Sequence, residues 1–257
     1  MDETRSPPSN PDAQLMRRAT VWAVGVALFL VAVKFATWLA TGSVAVLGSL
    51  MDSVLDGLAS GLNVFAVRYA LTPADHDHRF GHGKVEGIAG LCQGFFIGGS
   101  AVFLCFESIK HFVQPRVVEH GWVGIGVMVV SMVVTGGLVR YQRFVARKTG
   151  SVAIAADAFH YQADLVAYIA VIVALGLSET LGLTWIDPVV GLGISTYMLV
   201  GALKIGRMSF DELMDRELPE NDRQEIEVIA LAQDGVISIH DLKTRSAGIR
   251  CFIQLHL

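Results

Sequence analysis

Long apolar runs separated by short polar breaks dominate the chain. Six such runs stand out, at 19–41, 44–71, 87–113, 122–145, 151–177 and 185–208. A helix needs about 20 apolar residues to cross the hydrocarbon core of a bilayer, and each run is long enough. The breaks are sharp. Thr41-Gly42-Ser43 makes a tight turn, LTPADHDHRFGHGK is a polar loop, and QPRVVEHG, RKTG and SETLGLT separate the remaining runs. No repeat of about 20–50 residues recurs, which excludes a solenoid. The pattern predicts an α-helical membrane protein. A disordered, Pro-rich cytoplasmic lead-in (1–18) precedes a domain of six transmembrane helices (19–210), and a cytoplasmic α/β domain follows (211–257).

The tail breaks from this pattern. After Met208 the sequence is charged and reads as soluble. Pro219 followed by Glu220, Asp222 and Glu225 marks a helix start, with Ile226, Ile229 and Leu231 at apolar positions. Residues 236–242 and 250–257 read as two strands, with Ser246-Ala247-Gly248 as the turn between them. One helix and two strands make a poor independent domain, so the tail is expected to be incomplete.

Composition agrees with a membrane protein. The chain is 53% hydrophobic and only 17% charged, against about 25% charged residues in soluble domains. A net charge of −4 and the lack of a basic stripe point away from nucleic acid. Three scattered cysteines (Cys92, Cys105, Cys251) form no disulfide framework and no CxxC. Lysine and arginine set the orientation. Arg5, Arg17 and Arg18 precede the first run. Arg68, Arg79 and Lys84 flank the second break, Arg140, Arg143, Arg147 and Lys148 the fourth, and Lys204 and Arg207 end the last run. The alternate breaks carry only Lys110 and Arg116. Both termini are therefore expected to be cytoplasmic.

Ionisable residues inside the runs point to function, because a charge at the bilayer centre costs about 3 kcal/mol on insertion scales. Asp52 and Asp56 lie at i, i+4 in the second run, and His160 and Asp164 at i, i+4 in the fifth. Each pair shares one helical face. At about 1.5 Å per residue, Asp56 lies about 18 Å from one end of its helix and Asp164 about 20 Å from the opposite end of its own. The two levels overlap near mid-bilayer, so three carboxylates and one imidazole can meet at a point. Such oxygen and nitrogen ligands suit tetrahedral Zn²⁺ and also accept Cd²⁺, Fe²⁺, Co²⁺ or Mn²⁺. Protons can replace the ion on the same groups, which is the chemical requirement of a proton-coupled exporter. Asp157 is expected near the wet cytoplasmic mouth, Lys34 to snorkel or pair within the bundle, and Glu86 and Glu107 at the interfaces. In the loop, Asp75, His78 and His82 have metal-ligand spacing. Small-residue spacing at Gly87, Gly90, Gly94, Gly98 and Gly99 predicts close helix packing, with a dimer interface as one outcome.

Together, DxxxD in the second run, HxxxD in the fifth, the PADHDHRFGHGK loop and the tail IHDLKTR…FIQLHL resemble the cation diffusion facilitators, in particular the bacterial ferrous-iron/zinc efflux branch. The resemblance covers nearly the whole chain. It implies a homodimer in the bacterial inner membrane, with six helices per subunit, a metallochaperone-like cytoplasmic domain and metal/proton antiport by alternating access. It assigns the transport site to Asp52, Asp56, His160 and Asp164, with zinc favoured and broader tolerance. It assigns a loop metal site to Asp75, His78 and His82, part of a cytoplasmic-domain metal site to His240 and His256, and an interlocking salt bridge at the dimer interface to Lys84 and Asp215. Three other classes compete. A passive divalent-metal channel and a metal-sensing receptor are the alternatives to antiport. A membrane metalloprotease would want HExxH, which is absent.

Overall fold

The computed structural model describes residues 11–42, 44–113, 122–181 and 185–257. Residues 1–10, most of the predicted lead-in, and the 114–121 break lie outside the described residues. Six long helices form a bundle: α1 Pro11–Thr41, α2 Val44–Ala70, α3 Val85–Val113, α4 Trp122–Thr149, α5 Val152–Leu181 and α6 Ile186–Leu213. Among the described residues, α1, α2, α3 and α6 are long and apolar enough to cross a membrane by length and composition. Large apolar side chains such as Phe95, Phe103, Phe106 and Leu203 are exposed on them, as expected of surfaces that lipid solvates. The tail follows as α7 Glu220–Leu231, β1 His240–Ala247 and β2 Arg250–His256.

Local sequence sets the ends. α1 starts earlier than its apolar run: residues 11–18, expected in the disordered lead-in, are helical. Pro11 suits a first helical position, Asp12 complements the helix dipole, and Met16 is fully buried. α1 closes at Gly42 (φ +62°), whose N–H donates to Trp38 O at 2.7 Å. α4 closes at Gly150 (φ +69°), whose N–H donates to Ala146 O at 2.9 Å. A side chain would strain either position. Ser151 then caps α5, its hydroxyl accepting the Ile154 N–H at 3.3 Å.

Consecutive helices run up and down. At one end of the bundle Met16 and Ala19 of α1, Val67 of α2, Ala89 of α3, Val145 of α4 and Ile154 of α5 share one buried cluster, with Ile249 of the tail packed against it. The predicted basic ends therefore gather where the tail docks. The most extensive pairing is α3 with α6. The glycine stripe of α3 makes it possible: a side chain at Gly87 would meet Ser209 O at 3.2 Å, and one at Gly94 would meet Ala202 O at 3.4 Å. Gly87, Gly90, Gly94 and Gly98 thus face α6 of the same chain, whereas Gly99 has open space beside it.

β1 and β2 form an antiparallel pair. β1 lies later than expected, and Ser246 and Ala247 belong to the strand and not to the turn. Gly248 (φ +60°) opens a two-residue turn with Ile249, where glycine at the first position suits the twist of a hairpin. Near its start β1 carries an extra residue between His240 and Lys243, with Asp241 at φ +53°. Asp tolerates this left-handed conformation better than most residues.

Candidate metal centre

One member of the first i, i+4 pair, Asp56, meets both members of the second, His160 and Asp164, at the contact between α2 and α5. His160 Nε2 lies 2.9 Å from Asp56 Oδ1 and 4.0 Å from Asp164 Oδ2. One donor atom from each of Asp56, His160 and Asp164 lies within 4.8 Å of the others. All three residues are half-buried. The Nδ1 of His160 is buried without a hydrogen-bond partner, so Nε2 is the atom that faces the carboxylates. Asp52 does not join this trio. It lies one turn earlier on the same face of α2 and is exposed. Two carboxylate oxygens and an imidazole nitrogen within this span make a set that a divalent transition metal can bridge.

Asp157 and Glu86 depart from their expected places, while Lys34 pairs within the bundle as expected. Asp157 is fully buried, not at a wet mouth. Its carboxylate accepts from Gln142 Nε2 of α4 at 2.5 Å, from Gln93 Nε2 of α3 at 3.3 Å and from Ser60 Oγ of α2 at 3.4 Å. Ser60 in turn pairs with the Tyr161 hydroxyl at 2.8 Å. Four helices thus converge on one side chain, one turn from His160. Lys34 is also buried. Its Nζ donates to Ser53 Oγ at 2.6 Å and Ser49 O at 3.1 Å of α2, and reaches the Tyr168 hydroxyl of α5 at 3.4 Å. Glu86 is buried rather than interfacial, accepting from the Ser151 hydroxyl. Of the three, only Lys34 stands alone in an apolar run.

The loop brings its three residues together as well. One donor atom each of Asp75, His78 and His82 lies within 4.8 Å of the others. Asp75 Oδ1 accepts backbone N–H groups of Asp77 at 3.0 Å and His78 at 2.6 Å. The His78 N–H chiefly holds the Asp75 carboxyl below its ordinary range; slight desolvation opposes this, and the rings of His78 and His82 add to it. His82 is buried. Its Nδ1 pairs with Thr72 Oγ1 at 2.9 Å, which turns Nε2 toward Asp75 Oδ2 at 3.4 Å. Thr72 was not foreseen.

In the tail, His240 and His256 are cross-strand partners, and His240 Nε2 lies 3.1 Å from Ser238 Oγ. Neither joins a group of three donors among the described residues. Lys84 and Asp215 pair at 3.0 Å within the single chain, and Arg245 of β1 reaches Asp215 at 3.2 Å. The Arg245 guanidinium also stacks over Phe80 of the loop and Phe252 of β2, 4.4 and 5.1 Å from the ring centres. The loop, the end of α6 and the hairpin are therefore tied by charge and by aromatic contact.

Comparison with known proteins agrees with this architecture. Residues 20–214 match the family model described as the cation efflux transmembrane domain, and 218–257 match the cation efflux protein cytoplasmic domain. The chain is 45% identical to the cation-efflux pump FieF of Salmonella arizonae, over 95% of this chain and 81% of that protein. It is 44% identical to the protein of the same name from Klebsiella pneumoniae, over the same shares.

Proposed function

Because the chain belongs to the cation diffusion facilitator family, whose members are membrane transporters of metal cations and not enzymes, we propose that it exports divalent transition-metal ions from the cytoplasm in exchange for protons. Zn²⁺ is the favoured substrate, with Fe²⁺ and Cd²⁺ accepted. The observation that carries this reading is the approach of Asp56, His160 and Asp164 within 4.8 Å at the α2–α5 contact. A metal ion or protons neutralise the same carboxylates, so binding of one displaces the other. Asp52 completes the set as the fourth ligand, and α2 and α5 shift relative to the rest to expose the site to each side in turn.

In this reading α1 to α6 all cross a bacterial inner membrane, over residues 19–210, with both termini and the tail (211–257) on the cytoplasmic side. The protein works as a homodimer, and the Lys84–Asp215 pair sits where the two subunits and their tails converge. Asp75, His78 and His82 hold a second metal ion in the loop. His240 and His256 contribute to a third site in the tail. In liposomes, an imposed pH gradient should drive Zn²⁺ accumulation. Zn²⁺ flux that ignores the gradient would instead indicate a channel.

A further inference from the structure

Lys34 is a charge that the transport reading does not use. The residue is 1% exposed, and α1 delivers its ammonium to the seam between α2 and α5. Its partner Ser53 lies between Asp52 and Asp56, and its partner Tyr168 lies one turn beyond Asp164. Two of its three hydrogen bonds thus go to residues that flank the proposed ligands on α2 and α5. No carboxylate among the described residues bonds it directly: its hydrogen bonds go to two hydroxyls and a backbone carbonyl. It is therefore held beside the acidic cluster without occupying it. A cavity of about 180 Å³ adjoins it, lined by Ser49 and Tyr168 and, from α4, by Met128 and Ser131. The Ser131 hydroxyl is buried and has no hydrogen-bond partner, so it offers the ammonium a seat on the far side of that space.

We propose that Lys34 is a tethered counter-cation of the transport site: it weakens the hold of the four ligands on a divalent ion and so speeds the ion's release. This rests on the four-residue reading of that site. Three ionised aspartates carry three negative charges. A divalent ion supplies two positive charges and Lys34 the third, so the loaded site is neutral inside a bilayer, where net charge is costly. The same positive charge repels the incoming ion and keeps it from binding too tightly to leave. A transport site needs that compromise, since an ion must be bound well enough to enter and loosely enough to depart. The long flexible stem of lysine, a compact charge on four carbons, lets the ammonium withdraw toward Ser131 when the ion arrives.

The test uses the full chain in detergent and in liposomes, with Zn²⁺ alone as the probe. The background carries Asp75→Ala and His240→Ala, so that loop and tail binding do not obscure the site. Lys34→Gln should bind Zn²⁺ about tenfold more tightly or better, the least expected from removing a unit charge close to a divalent ion. Its KM and kcat for transport should both fall, and Lys34→Arg should restore parental values. If Lys34→Gln does not fold, Lys34→Met, which keeps volume and drops the charge, makes the same comparison. A purely structural lysine predicts the opposite, weaker binding and a raised KM. Unchanged or weaker affinity in the neutral variants, with binding lost in Asp164→Ala, overturns the counter-cation alone. Binding undiminished in Asp164→Ala overturns the four-residue site and the counter-cation with it.

Discussion

Removing the carboxylate of Asp157 should unlock the centre of the bundle. The side chain is fully buried and accepts from Gln142, Gln93 and Ser60, which belong to α4, α3 and α2. In Asp157→Ala the amide groups of Gln142 and Gln93 lose their acceptor inside a low-dielectric seam, while Ser60 keeps Tyr161. Stranding a buried donor costs about 1–3 kcal/mol, so two of them cost about 4 kcal/mol. For a chain of this size each kcal/mol moves a melting midpoint by about 2–4 °C, so a loss of about 10 °C is expected. Asp157→Asn keeps one acceptor oxygen and presents an NH₂ group to the other amide, and should fall about halfway. The assay is thermal unfolding of purified protein in detergent, followed by loss of the monodisperse peak. The transport KM for Zn²⁺ should rise in the same order, because His160 sits one turn from the network. A midpoint for Asp157→Ala within about 2 °C of the parent would refute the idea that this side chain ties the four helices together.

Three other outcomes follow from the same structure. Burial works against the Asp215 charge, yet Lys84 and then Arg245 hold its carboxyl below the ordinary range. Its contribution to docking is therefore present above the usual aspartate pKa and lost as pH falls through the lowered value. Hydrogen-exchange protection factors of β1 and β2, corrected for the intrinsic pH dependence of exchange, should stay constant from neutral pH to about pH 4 and then fall. The half-exposed pair contributes about 0.2–1 kcal/mol, so Lys84→Ala should loosen the hairpin slightly at neutral pH. Thr72→Val frees the His82 ring, and should weaken Zn²⁺ binding at the loop about 10–100-fold in a calorimetric titration, without changing thermal stability by more than a few degrees. Gly90→Leu puts bulk where even a Cβ would meet Val152 at 3.0 Å and the Ser209 side chain. It should destabilise the α3–α6 contact by about 1–3 kcal/mol, seen as a lower melting midpoint.

Local spacing told much of this in advance. The alternation of apolar runs and breaks marked the six helices, because a run that long satisfies its backbone only as a helix in lipid. The i, i+4 spacing of Asp52 with Asp56 and of His160 with Asp164 put each pair on one face, and Asp56, His160 and Asp164 do approach one another across α2 and α5. What stayed hidden was tertiary. Nothing near Asp157 in sequence reveals that Gln93 and Gln142 turn inward to meet it. Lys34 finds its partners on two other helices. The α3 glycines signal close packing but not which neighbour fills the groove, and it is α6 of the same chain. In the tail, the strand pattern was legible, but the extra residue at Asp241 and the Gly248 turn moved β1 toward the C-terminus of its expected span.

If Asp52, Asp56, His160 and Asp164 form one metal seat, the bound ion will carry their signature. X-ray absorption at the zinc edge, on protein carrying Asp75→Ala and His240→Ala and loaded with one Zn²⁺, tests it most directly. The ion should be four-coordinate, with one imidazole and oxygen ligands at about 2.0 Å, and should be lost in Asp164→Ala. A spectrum without an imidazole contribution, or one unchanged in Asp164→Ala, would contradict it.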